Sequence, residues 1–435
     1  MYLSHLALDN YRSYRSEVVE FSPGVTVLVG SNGQGKTNLV EAIAYLATFS
    51  SHRVGVDSAL VRFPRTGERE PAGAVVRAKV REHERDRIVE VEIVRGRANR
   101  AKLNRTQVRP RDVLGVVKTV MFAPEDLALV KGDPSTRRTF LDELAVQLTP
   151  AYARDRFDWE RTQRQRASLL KQLGKDRRAG RGVDEASLAV WDDHFIQQAH
   201  TIAAMRYQVI DLLKDPVSAA HDTVTDSRRH LNISPATSLA KVVGVDELKL
   251  RELALSDGSS YCHLMRQALD AVRDDEITRG VNLVGPHRDD LVLTIDDMPV
   301  KGFASHGESW SVALALRLGS FNVLTDSTQG MPFDGMTSGE RVEDSPGVNT
   351  PILILDDVFA ELDIARRRAL LDAISAAEQI FVTTADVNDI PAELNADIRT
   401  VTWAPETGTQ VEAIDARQSE YPHEQRAKEG DRVDN

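Results

Sequence analysis

Eight consecutive residues, Gly30, Ser31, Asn32, Gly33, Gln34, Gly35, Lys36 and Thr37, carry the spacing G-x-x-x-x-G-K-[ST] without a mismatch. The apolar run "GVTVLVG" leads into them, and Leu39, Val40, Ile43, Ala44, Leu46 and Ala47 follow at helical spacing. A strand, a glycine loop and a helix in that order make an anion cradle, because backbone N–H groups and a helix N-terminus converge on one phosphate. Lys36 would reach the β- and γ-phosphates of a nucleotide, Thr37 would ligate Mg²⁺, and Asn38 continues the cradle into the helix. In "ILILDDVFAELD", residues 352–363, an apolar run ends in two acids. Asp356 could hold Mg²⁺ through water there, and Asp357 could polarise an attacking water. Such a run is on its own an ordinary strand end; paired with the glycine loop it becomes the second half of a nucleotide site. "ASHGES", residues 304–309, precedes the helical stretch "WSVALALRLGSFNVL". Ser305 and Gly307 at its start could bind an anion, and an ordinary N-cap explains them equally well.

The elements that must position these residues follow from periodicity. Residues 1–29 alternate apolar and polar positions and end in a short apolar run, which predicts strands leading to a buried central one. Residues 75–108 return to period two around "RGRAN", which predicts a hairpin with basic residues on its exposed face and tip. From 124 to 275 the spacing turns helical, broken at "GKDRRAGRGVDEAS", so a helical arm is predicted as an insertion. Strand character resumes at "DDLVLTI", "PILILDD" and "QIFVTTAD". The expected organisation is a nucleotide-binding lobe over 1–123, a helical arm over 124–275, and the rest of the lobe over 276–404. An acidic insertion at 326–350 is expected to be mobile, and a polar tail at 405–435 to be disordered.

The 435 residues, 41% of them hydrophobic, are ample for a real core. No run of eighteen apolar residues and no signal peptide is found, so a soluble cytoplasmic chain without a membrane segment is expected. A single cysteine, Cys262, excludes an intrachain disulfide and a thiolate metal cluster. The net charge of −11 speaks mildly against a nucleic-acid partner, yet the charge is unevenly spread. Between Arg62 and Arg111 there are 15 Lys and Arg against 7 Asp and Glu, and between Tyr152 and Arg181 10 against 4. Either run can be a solvated surface or a phosphate-binding one.

The order of these parts, with "DNYRSY" at 9–14, "VGSNGQGKTNLVEAIAYLAT" at 29–48, "SHR" at 51–53, "APEDLALVKGDPSTRRTFLDE" at 123–143, "GPHRDDL" at 285–291 and "LDDVFAELD" at 355–363, resembles the RecF family of SMC-like ABC ATPases. The resemblance implies an α/β fold, an ABC-type P-loop ATPase head with a β-rich flank and an inserted helical arm domain. It implies ATP and Mg²⁺ as ligands and a homodimer on ATP binding. Each nucleotide would lie between the P-loop of one subunit and the signature loop of the other, with Ser305 and Gly307 as the trans contacts. Arg12 would sit near the phosphates and Asp363 at the dimer interface. Ser51, His52, Arg53, His287 and Arg288 match family motifs without a role that their types reveal.

Function is implied in the same way: ATP-gated DNA binding at gapped or duplex sites near single-strand junctions, with slow DNA-stimulated hydrolysis as a switch. RecO and RecR would be partners, and RecA would be loaded indirectly. An SMC-like structural clamp is the alternative. A transport ATPase fits poorly, since Lys36 and Ser305 stand 269 positions apart. Several residues depart from the family pattern. The signature loop lacks the usual glutamines, no switch histidine follows "IFVTTAD", and Glu125 or Asp126 could stand in for a missing glutamine. Asp357 is one methylene shorter than the usual Glu.

Overall fold

The computed structural model describes residues 1–82, 85–181, 185–225, 229–326, 350–359, 362–391 and 394–413. The chain begins with an antiparallel pair, β1 (Tyr2–Tyr11) and β2 (Tyr14–Glu20), followed by β3 (Gly24–Val29) and helix α1 (Lys36–Thr48). A meander of β4 (Gly73–Glu82), β5 (Arg85–Val94), β6 (Arg100–Leu103) and β7 (Thr106–Val108) leads to β8 (Thr119–Phe122). Helices α2 (Leu127–Lys131), α3 (Pro134–Leu148), α4 (Tyr152–Arg178) and α5 (Glu185–Thr225) come next. Then follow β9 (Leu231–Ala236), α6 (Ser238–Val243), α7 (Glu247–Ser256), α8 (Gly258–Arg279), β10 (Asp290–Ile295) and β11 (Met298–Pro299). The chain returns through α9 (His306–Asp326), β12 (Ile352–Asp356), α10 (Ile364–Ile374), β13 (Gln379–Thr384), β14 (Ala396–Ala404) and β15 (Gly408–Ala413).

One sheet runs in the order β7-β6-β5-β4-β1-β2-β15-β14-β3-β13-β12-β8 among the described residues. Its β14, β3, β13, β12 and β8 pair in parallel, and the meander side is antiparallel. Strands β8, β12 and β13 are buried at every position, which is why β12 reads as an unbroken apolar run, whereas β14 is largely half-exposed. Successive residues serve opposite cores: Val27, Leu353 and Leu355 pack with α3, α5 and α9 residues, whereas Leu28, Ile352 and Ile354 pack with α1 and the meander. This two-sided packing holds the carboxyl ends of β3, β12 and β13 in line, where the loop and the acid pair emerge. No helix among the described residues is long and apolar enough to cross a membrane.

Four expectations change. The 124–275 stretch is not wholly helical, because β9 lies in it as an edge strand, where its Pro235 is tolerated. The predicted disordered tail starts later than residue 405, since Gly408–Ala413 pair with β14 and bury Thr409. Residues 327–349 of the acidic insertion and residues 414–435 lie outside the described residues. The basic flank is largely self-neutralised: Arg77 and Lys102 both bind Glu90 at 2.6 Å, and Lys79 and Arg81 both bind Asp86 at 2.8 Å. Arg166, counted above as part of a basic surface, is fully buried. It holds Asp192 at 2.8 Å, Glu276 at 2.7 Å and Asn282 at 2.7 Å, with its guanidinium 4.9 Å from the Phe195 ring centre. It ties α4, α5 and α8 together from inside the arm.

Arg166→Met should therefore leave the buried Glu276 without its cation and Asp192 with Arg273 alone, and cost about 3–5 kcal/mol in denaturant unfolding. A loss under about 1 kcal/mol would show that the cluster is not what joins the arm.

Candidate functional site

The glycine loop connects β3 to α1 in the predicted way. Gly33 and Gly35 take φ of 84° and 107°, and a Cβ on Gly35 would stand 2.6 Å from Thr409 Oγ1 and 2.7 Å from Ser13 Oγ. Larger residues would meet backbone strain at both turns, and at Gly35 the Thr409 and Ser13 side chains as well. Helix α1 starts at Lys36 with no side-chain cap, so its first N–H groups point into the loop. Lys36, 4% exposed, donates to the carbonyls of Gly30 at 2.7 Å and Ser31 at 3.3 Å. Its ammonium is thereby folded over the cradle, where a phosphate would draw it off the carbonyls.

Asp356 closes the other side. Its Oδ1 accepts from Thr37 Oγ1 at 3.0 Å and from Thr383 Oγ1 at 2.6 Å. Burial, with Asp357 and Glu125 adding repulsion, raises its carboxyl to about 6 against the two hydroxyl hydrogen bonds. A carboxylate hydrogen-bonded to the loop threonine, crowded by other acids and kept from water, suits a divalent cation completed by phosphate and water oxygens. Asp357 has φ 51°, and its N–H donates to the Thr383 hydroxyl at 3.0 Å. Asp tolerates this left-handed turn, which directs the residue away from the line of β12. Lys36, Thr37, Asp356 and Asp357 are thus brought together as predicted.

Arg12 is placed by a residue that the sequence did not single out. Glu41, one turn beyond Thr37 on α1 and fully buried, accepts from Arg12 Nε at 2.8 Å and Nη2 at 2.6 Å. It also accepts from the Ser51 hydroxyl at 2.5 Å, and Arg53 lies 3.7 Å away. Ser51 in turn accepts from the backbone N–H groups of Arg53 and Val54, while Arg53 donates to Asn38 Oδ1 at 2.9 Å. The "SHR" segment is therefore pinned to the same helix that cradles phosphate. The sequence signal was an acid inside an apolar helical face. His52 has no hydrogen-bond partner for Nε2 and is held below the usual imidazole range by burial.

Ser305 and Gly307 lie apart from this group, Gly307 in the first turn of α9 and Ser305 just ahead of it. Ser305 Oγ accepts from the Glu308 N–H, and Glu308 accepts from the Ser305 N–H at 2.8 Å, a capping box. Asp363 caps α10 by accepting from the Arg366 N–H at 2.9 Å. Arg366 bridges the two, bonded to Asp363 at 2.7 Å and Ser311 at 2.9 Å, with its guanidinium 3.2 Å from where a Gly307 Cβ would stand. Asp126 is occupied by Arg317 at 2.5 Å and by the Ala123 N–H, whereas Glu125 adds its charge to the crowding at Asp356. His287 packs against Trp159 and Phe195, lowered to about 4 chiefly by burial, and Arg288 binds the Asn282 carbonyl. Both serve the arm.

Because Asp356 holds its proton to higher pH when folded than when unfolded, its contribution favours folding at low pH and is lost as pH rises from about 4 to about 6. Asp356→Asn should flatten that slope and stabilise the ligand-free chain at pH 7.5 by about 1–3 kcal/mol, read from urea melts. An unchanged slope would contradict this.

The comparisons agree with the geometry. A family model described as the RecF/RecN/SMC N terminal domain matches residues 2–398. A DNA replication and repair protein RecF from Beutenbergia cavernae is 48% identical over 402 residues, covering 91% of this chain and 96% of its own. Its counterpart from Frankia alni is 46% identical over 395 residues, with the same coverage of 91% and 96%. A solved structure of the recombination mediator protein RecF-ATP in the RecFOR pathway superposes with a TM-score of 0.78 at 25% identity, over 95% of this chain and 98% of that one. A Smc head bound to the C-winged helix domain of ScpA shares the fold, with a TM-score of 0.50 at 14% identity. With a matched phosphate loop, acid pair and near full-length relatives, the chain is a member of the RecF family of DNA replication and repair proteins, within the SMC-like ABC ATPases.

Proposed function

We propose that the chain is an ATP-switched clamp on DNA, acting in recombinational repair at gapped or duplex sites near single-strand junctions. The observation that carries this is the closure of Thr37 on Asp356 at 3.0 Å beside an uncapped helix start. ATP is the substrate, held by the Gly30–Thr37 backbone and Lys36. Mg²⁺, ligated by Thr37 and reached by Asp356 through water, would offset phosphate charge. Asp357 polarises the attacking water from its turn, and being short for the task it makes turnover slow.

The γ-phosphate completes a surface for Ser305 and Gly307 of a second copy. Arg366 joins that loop to Asp363, so a contact at the signature loop is felt at the start of α10. DNA affinity would rest on the cations that the acids leave over. Arg97, Arg105 and Arg109 are exposed in the meander and its exit, and their guanidinium groups have no carboxylate partner among the described residues. Doubling them in a dimer makes a phosphate-binding groove from two modest patches. RecR and RecO are the partners that the family reading implies, with RecA loaded through them.

Lys36→Ala should lose ATP affinity, the ATP-dependent dimer and DNA binding together. Asp357→Asn should keep ATP and remain dimeric on DNA for longer, as followed by sedimentation and DNA-binding titration at near-physiological salt. Equal DNA binding with and without ATP in both variants would break the proposed coupling.

A further inference from the structure

A cleft of about 1000 Å³ opens where the loop after α1, the turn Pro110–Val113 and the start of α4 meet. Five arginines line it, Arg53, Arg109, Arg111, Arg154 and Arg156, against two acids. Both acids are engaged: Asp57 accepts from Tyr45 and Asn99, and Glu160 accepts from Arg156 at 3.2 Å. Arg111 and Arg154 have carboxylates only at 3.9 and 3.8 Å, from the partly exposed Asp112 and Asp158, and such pairs are weak against water and salt. The cleft therefore keeps the surplus of positive charge that the strands of the basic flank have lost to their acids.

Phe157 stands among these cations, 59% exposed. It lies on the outer stripe of α4 with Arg154 and Arg161, three and four residues away, whereas the other two aromatic residues of that helix, Tyr152 and Trp159, are buried. A ring held in water beside guanidinium groups adds nothing to the core, and it offers a stacking face next to phosphate donors. The opposite wall is the segment Ser51–Arg53, fixed from behind by its bonds to Glu41 and Asn38 on α1, so the cleft is preformed. His52, in the same wall, has a ring nitrogen, Nε2, for which the protein supplies no partner.

We propose that this cleft takes an unpaired nucleotide of a single strand at its junction with duplex DNA, the base stacked on Phe157 and the flanking phosphates on Arg111 and Arg154. This rests on the DNA reading above and adds to it the place where single strand is told from duplex. A base inside a duplex has both faces covered by its neighbours and must be unstacked to meet the ring, a cost that an unpaired base largely escapes. Duplex is then held through its backbone alone, which carries no such discrimination. An acidic peptide would match the arginines and leave Phe157 without a role, so the ring favours nucleic acid.

The test uses the full chain with ATP and Mg²⁺, and DNA carrying a fluorescent purine analogue either at the first unpaired position of a gap or inside a blunt duplex. The wild type should change the emission of the gap probe and leave the duplex probe unchanged. Phe157→Ala should weaken gapped DNA about tenfold, abolish the emission change and leave blunt-duplex affinity as it was. Phe157→Trp should restore both affinity and emission change. An emission change that survives Phe157→Ala overturns the proposal, as does an equal loss of affinity for gapped and blunt DNA. A wild type that binds both DNAs without any emission change overturns the subsite and leaves the DNA reading standing. Displacement of gapped DNA by polyglutamate, again without an emission change, would assign the cleft to an acidic protein segment instead. A wild type that binds neither DNA would remove the DNA reading itself, and the subsite with it.

Discussion

A carboxylate kept from water at the carboxyl end of a parallel sheet governs this molecule. Asp356 is 2% exposed, close to two other acids, and sustained by two threonine hydroxyls alone. In the ligand-free chain that arrangement is unfavourable at neutral pH, because desolvation and like charge act together against the ionised form. A cation bound there would offset that cost. The two-sided core around β3, β12 and β13 is what prevents the strand end from relaxing into solvent. Fold stability thereby sustains local strain at the place where ligand binding can relieve it.

The surrounding polar contacts distribute that event. Glu41 on α1 holds Arg12 from the β1–β2 turn and Ser51 from the following loop, so two chain segments are tied to the helix that carries Thr37. On the far lobe, Arg366 ties Asp363 to the signature helix through Ser311. Each cluster joins segments far apart in the chain through side-chain hydrogen bonds.

The parts with local chemistry were legible in the sequence: the glycine loop, the apolar run into Asp356, and the α/β order of elements. What stayed hidden depends on partners far apart in the chain. Arg12 and Glu41 are neighbours only because β1 folds beside α1, and Ser51 gains its role from the same acid. Arg166 read as surface charge because its partners Asp192 and Glu276 lie on other helices. Charge counting over Arg62–Arg111 could not reveal that Glu90 and Asp86 sit opposite the basic residues, a matter of strand register. The strands β9 and β15 escaped because each is short, polar and dependent on a neighbour.

The central claim is that ATP, and not nucleotide in general, closes the clamp. The most direct measurement is the sedimentation mass of the wild-type chain on a gapped duplex at near-physiological salt, with ATP, with ADP and with no nucleotide. The account predicts a two-copy complex on DNA with ATP and weak, single-copy binding otherwise. The same mass and affinity in all three conditions would contradict it.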